Sequence, residues 1–174
     1  PLAVTLAAAT GTEHDLWGRL VTEPDLDDPW TAPDPADWAR TADPTDAPQP
    51  DEVTITFEHG VPVALDGQRF PVLRLLRELD ALAGRHGVGR HDLVVDLLDG
   101  RKARRVAETP GATALVAAHQ DLERITLERE VLRCKQGVDR EWAELVDEGR
   151  WASGLRRALD AFIEETQRHV SGDV

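Results

Sequence analysis

The chain has 174 residues, 41% hydrophobic and 30% charged, which is the makeup of a soluble globular protein about one domain long or part of a larger one. Its net charge of −13 is concentrated early: residues 1–51 hold eleven Asp or Glu against two Arg, which argues against nucleic acid as a general partner. No apolar run approaches the roughly 20 residues that span a bilayer, there is no basic leader, and the lone Cys134 excludes an internal disulfide, so a cytoplasmic chain with no membrane partner is expected.

The chain contains no methionine, not even at position 1, and is therefore expected to be a processed product or a piece of a longer protein. Residues 24–51 hold seven of the eleven prolines and read as an extended arm. Trp30 and Trp38 are the large apolar groups that would pin it to a core. In "VTITFEHGVPVALDG" (53–67), Val53, Ile55 and Phe57 alternate with polar residues, His59 and Gly60 supply a turn, and Val61 to Leu65 return. This is a hairpin pattern. A helix follows over 71–87, with Val72, Leu75, Leu76, Leu79 and Leu82 as its stripe, Pro71 in its first turn and Gly87 as its cap. "DLVVDLL" (92–98) reads as a short apolar strand.

The remainder reads as helix. Ala112–Ile125 is a buried one, Leu127–Val146 an amphipathic one with a break at Gly137, and Ser153 caps a last helix. The fold class is therefore α+β: a small antiparallel sheet with a hairpin, followed by packed helices.

Generic chemistry is thin. Gly87 and Gly89 stand between a helix and a strand, the wrong order for a phosphate-binding loop. His86, His91 and Asp92 match no metal-ligand spacing, so no metal site is expected. His119 reads as a hydrogen-bonded core residue, and Cys134 as a lone thiol on a helix face. Arg101, Lys102, Arg104 and Arg105 form the one basic cluster, with an exposed loop and an anion contact equally open as readings. No catalytic constellation is visible.

Seven segments, "LWGR" (16–19), "DDPW" (27–30), 53–67, "LAGRHGVGRHDLV" (82–94), "ETPGATALVAAHQDLERITLEREVL" (108–132), "WAELVDEGRW" (142–151) and "LRRALDAFIEETQRHVSG" (155–172), run in order across nearly the whole chain. Together they resemble the C-terminal, synthetase domain of argininosuccinate synthase. The resemblance implies one domain over 1–174 with the fold class above. It also implies a part in arginine biosynthesis, where the family ligates citrulline to aspartate through a citrullyl-adenylate. The family's ATP site lies in an N-terminal domain with a Ser-Gly-Gly-type loop that this sequence lacks. ATP and magnesium are thus expected only through a separate ATP-binding domain or subunit. Expected partners are that part or further copies of the chain, with an amino-acid-like small molecule as ligand.

In the family, two serines, a glutamate and a tyrosine of this domain hold citrulline. The resemblance places them at Gly11, Leu20, Val95 and Ala107, so all four polar side chains are substituted here. A glutamate binding an ammonium group contributes about 1.5–3 kcal/mol, and valine contributes none. Lys102 and Arg104 persist on either side of Ala103 and are the candidate anion contacts. The resemblance therefore implies a ligase domain with altered or lost citrulline specificity, active only beside an ATP-binding part, or a non-catalytic domain kept for assembly or regulation.

Overall fold

A computed structural model of the chain describes residues 15–21, 26, 28, 30–46, 48–96 and 100–174. It is α+β, and the chain divides into two compact units, with divisions among the described residues after Asp51, after Leu75 and before Leu115.

The first unit combines Glu52–Leu75 with Leu115–Val174. Strands β2 (Ile55–Glu58), β3 (Val61–Leu65), β4 (Gln68–Arg69) and β7 (Gly172–Asp173) form an antiparallel sheet in the order β4-β3-β2-β7. Alternation in the sequence produced β2: Ile55 and Phe57 are buried at 2% and 1% exposure, while Glu58 lies outside. Positive φ at His59 (51°) and Gly60 (76°) forms the tight turn, as two-residue hairpin loops require. β7 closes the other edge of β2, where Ile55 and Val174 exchange backbone bonds of 2.7 and 3.0 Å.

Three helices complete this unit: the later part of α2 (Pro110–Thr126), then α3 (Arg129–Asp147) and α4 (Gly154–Gln167). Ser153 caps α4, accepting a bond from Arg156 N at 3.0 Å. The expected break at Gly137 is absent, and α3 runs straight through it. A Cβ at Gly137 would meet nothing within 4 Å, so glycine there costs only its propensity, about 1 kcal/mol, which eighteen other helical residues outweigh.

A buried polar chain links these helices. His119 Nε2 bonds Gln167 Oε1 at 2.8 Å, and Gln167 Nε2 donates to Glu123 Oε1 at 2.8 Å. Lys135, 2% exposed, donates to Glu123 at 2.9 Å and to Asp139 at 2.6 Å. His119 is thus the hydrogen-bonded core residue expected, its ring 5.4 Å from that of Phe57. Burial pushes its pKa down and Lys135 adds to this, while Glu123 and Gln167 oppose; the net direction is down.

The second unit takes Leu76–Ala114 and the described residues up to Asp51. β1 (Arg19–Val21), β6 (Lys102–Glu108) and β5 (Arg90–Asp96) form an antiparallel sheet in the order β1-β6-β5. Helix α1 (Val72–Arg85) buries Leu76, Leu79 and Ala83 of this unit. Gly87 leaves α1 with a φ of 71°, as expected of a cap, and Gly89 enters β5 at 93°. Only glycine suits position 89, because a Cβ would fall 2.5 Å from Pro110 Cα.

The Pro-rich arm holds a 3-10 turn at Pro35–Asp37, capped by Asp34. Of its two tryptophans only Trp38 packs inward, against Val21, Leu26 and Val106. Trp30 is 94% exposed and pins nothing, because Asp28 holds its backbone in a surface turn.

Candidate functional site

The β5–β6 hairpin and β1 bring most of the sequence-derived candidates onto one small sheet. β1 is too short to show a period. β6 has charges at four of its seven positions, which hides its alternation from a hydropathy reading. The register settles which residues share a face. Across β5 and β6, Arg90 pairs with Glu108, His91 with Ala107, Val95 with Ala103 and Asp96 with Lys102. Across β1 and β6, Arg19 pairs with Glu108 and Leu20 with Ala107.

Because side chains alternate, Leu20, Ala107 and Val95 share one face with His91. Leu20 and Ala107 stand directly opposite each other and are buried at 5% and 7% exposure, while Val95 is half-buried. Gly11 lies outside the described residues. On this face His91 Nε2 meets the hydroxyls of Thr109 and Thr113 at 2.8 and 3.0 Å, at the start of α2. The face thus holds Leu20 and Ala107 in one row, with one imidazole and two hydroxyls at its border and Arg105 between that row and Val95.

Lys102 and Arg104 lie on the opposite face, with Glu108 and Val106. Arg104 grips Asp92 with both arms of its guanidinium, at 2.8 and 2.7 Å. Its remaining nitrogen donates to the carbonyls of Asp28, Thr31 and Leu26 at 2.9, 2.7 and 3.4 Å. That bonding holds the Asp92 carboxyl below its usual range and commits Arg104 to positioning the arm. Lys102 pairs with Asp96, both well exposed. Three of the four positions that the resemblance assigns to citrulline therefore come together, and the two candidate anion contacts stand apart from them. The basic cluster is largely strand, in place of the exposed loop that was one of its two readings.

Glu108 organises this second face, and no residue pattern singled it out. It has no exposed surface and accepts five bonds: from Ala39 N and Arg19 at 3.0 Å, Arg40 N and Thr41 N at 2.9 Å, and Thr41 Oγ1 at 2.7 Å. Burial alone would push its pKa up, but Thr41, Arg40, Ala39 and Arg19 outweigh it and the net direction is down. Arg90 extends the network, donating to Thr41 Oγ1 and O at 2.9 and 3.0 Å while stacking 4.7 Å over Trp38. The one available signal was a lone acid between an apolar strand end and a Pro-Gly helix start, "VAETPG".

Among the described residues no group of three His, Cys, Asp or Glu is placed to hold a metal, and no helix is long and apolar enough to cross a membrane. The family model described as the arginosuccinate synthase C-terminal domain matches residues 11–174.

Proposed function

Because the chain belongs to the argininosuccinate synthase C-terminal domain family, we propose that it is the synthetase part of an argininosuccinate synthase-like, AMP-forming carbon–nitrogen ligase with altered or lost citrulline specificity. One observation supports this reading above the rest: Leu20 and Ala107, opposed in register and buried, put apolar side chains at two of the positions that the resemblance assigns to polar citrulline ligands, on the face they share with Val95, His91 and Arg105. Those positions would leave the ammonium and ureido groups of citrulline without the partners that the resemblance assigns to them. They suit an amino-acid-like ligand with a less polar side chain. ATP and magnesium would come from an ATP-binding domain or subunit, in the cytoplasm.

Pyrophosphate release from ATP, measured with the chain joined to a functional ATP-binding domain and a panel of amino acids, tests the reading. Citrulline should give no turnover with the natural pocket, and a less polar amino acid should. Gly11→Ser, Leu20→Ser, Val95→Glu and Ala107→Tyr together should restore citrulline-dependent release. Ordinary citrulline turnover by the unmodified pocket would refute the proposal. The chain alone should show no micromolar affinity for magnesium ATP by calorimetry.

The non-catalytic reading draws on a different observation. Arg104, whose persistence made it a candidate anion contact, is fully engaged in holding the arm. If no amino acid in the panel releases pyrophosphate, an assembly or regulatory role replaces the ligase role.

A further inference from the structure

His91, Thr109 and Thr113 close a triangle of polar atoms on the face that carries Leu20, Val95 and Ala107. His91 Nε2 stands 2.8 Å from Thr109 Oγ1 and 3.0 Å from Thr113 Oγ1, and the two hydroxyls are 3.1 Å apart. Among the described residues, no other group bonds these three side chains. Each hydroxyl carries one proton, and the neutral imidazole carries one on either nitrogen. With that proton on Nδ1, one hydroxyl donates to Nε2, the second donates to the first, and Nδ1–H points out of the triangle. With it on Nε2, the ring donates to one hydroxyl, the hydroxyls share one bond, and the remaining hydroxyl proton points out. An imidazolium adds a second outward donor. In every state the cluster holds at least one donor more than it can satisfy internally. His91 and Thr113 are half-buried, which leaves that donor open to a ligand.

The charge on this face has one sign. Among the described residues of β1, β5 and β6 that share it, Arg105 is the charged one, while Asp92, Asp96 and Glu108 project to the other side. In a chain of net charge −13, a strand face without an acid stands out. Arg105 lies opposite Leu93. It holds another interaction as well, and its five donors allow a second. Along β5, His91, Leu93 and Val95 follow one another on this face at steps of about 6.6 Å. Leu93 is well exposed and Val95 half-buried. We propose that this stripe is a carboxylate subsite for an aliphatic α-amino acid. One carboxylate oxygen accepts the outward proton of the His91–Thr109–Thr113 cluster, Arg105 favours the anion, and the aliphatic chain lies along Leu93 and Val95. With its own proton on Nε2, the ring offers Nδ1 as an acceptor for the adjoining ammonium, which a simple acid lacks. The inference deepens the ligase reading and rests on it for the amino-acid character of the ligand, whereas binding at the subsite needs no turnover.

Amide and imidazole NMR shifts of the natural chain read the binding directly. L-leucine and isovalerate should both give saturable shifts at His91, Leu93, Arg105 and Thr113, with dissociation constants of about 1 mM for ligands so small and L-leucine the tighter. Isopentylamine and isopentanol share the carbon chain without the carboxylate and should not saturate. His91→Phe keeps a ring and removes its nitrogens. It should weaken both acids at least about tenfold, the loss of one hydrogen bond to a charged group. Leu93→Asp changes an exposed position and sets a carboxylate opposite Arg105. It should weaken them as much with an unchanged circular dichroism spectrum, and it carries the test if His91→Phe disturbs the fold. No saturable shift with either acid, equal shifts with isopentylamine, or binding indifferent to the substitutions would overturn the proposal. Saturation by isovalerate alone would overturn the α-amino-acid ligand. Saturation by both acids, with no amino acid releasing pyrophosphate in the ligase assay, would support the subsite and remove the ligase role. Pyrophosphate release without these shifts would do the reverse.

Discussion

Replacing Glu108 by glutamine probes the second unit at its most connected point. The two side chains have the same shape, so packing is preserved while one acceptor oxygen becomes an NH₂ donor. If that group takes the place of Oε2, it faces Arg19 and Ala39 N, and the 12%-exposed Arg19 side chain loses its counter-charge. If it takes the place of Oε1, it faces Arg40 N, Thr41 N and the Thr41 hydroxyl. Either way at least two bonds to a charged acceptor are lost, at about 1.5–3 kcal/mol each. Removing one partner of a buried ion pair also costs about 3–5 kcal/mol in comparable cases. These are two views of the same loss, so about 3–5 kcal/mol is expected in total. With a urea slope of about 2 kcal/mol per molar, the midpoint should fall by about 1.5–2.5 M. The natural side chain also carries a pH signature. Its pKa is lower folded than unfolded, so its contribution is whole above the ordinary 4.5 and is lost as the pH falls through the folded value. Urea titrations from neutral to acidic pH, with amide exchange at Arg40 and Thr41 as the local readout, should show that loss in the natural chain and not in Glu108→Gln. A midpoint shift equivalent to less than about 1 kcal/mol at neutral pH would refute the view that this carboxylate anchors the arm.

In the first unit, His119 has a depressed pKa, so its contribution is whole above the ordinary 6.5 and declines as the pH falls below that value. Thermal melts should show this slope weakened in His119→Gln. Lys135→Met removes a cation buried between Glu123 and Asp139 and should cost about 3–5 kcal/mol by urea titration, because two carboxylates are left facing each other. Gly89→Ala forces a side chain into a left-handed backbone and against Pro110, and should lower stability by at least about 1–3 kcal/mol in the same assay.

What the sequence made legible follows from which signals survive in one dimension. The β2–β3 hairpin, α1 and the Ser153 cap each carry a local pattern, and each formed as read. β6 did not show itself, because Arg104 and Glu108 turn inward to carbonyls, amides and ion partners, so its buried face reads as polar. β1 and β7 are strands only because β6 and β2 offer them edges, which no local propensity records. The site divides in the same way. Alignment of the resemblance located Leu20, Val95 and Ala107, and the register then placed them on a common face. It was also the register that separated Lys102 and Arg104 from them, since residues close in sequence but opposite in parity point to opposite sides of a sheet. Trp30 and Trp38 are alike in composition and differ in fate, decided by the Asp28 turn and the Val21–Leu26–Val106 cluster.

β7 sets an order on how the first unit can form. Thr56 and its partner Asp173 are 117 residues apart, so that side of β2 stays open during synthesis until nearly the whole described chain has emerged. The β2–β3 hairpin can close at once, since its turn spans two residues. The entropy of loop closure grows only as about (3/2)RT ln n, so the late pairing is tolerable at equilibrium. It is slow, however, because non-local strand contacts delay folding. In the interval the unprotected edge of β2, with Ile55 and Phe57 beside it, is available to any other extended segment, which makes residues 172–174 the step at which a nascent chain either completes its sheet or pairs with the wrong neighbour.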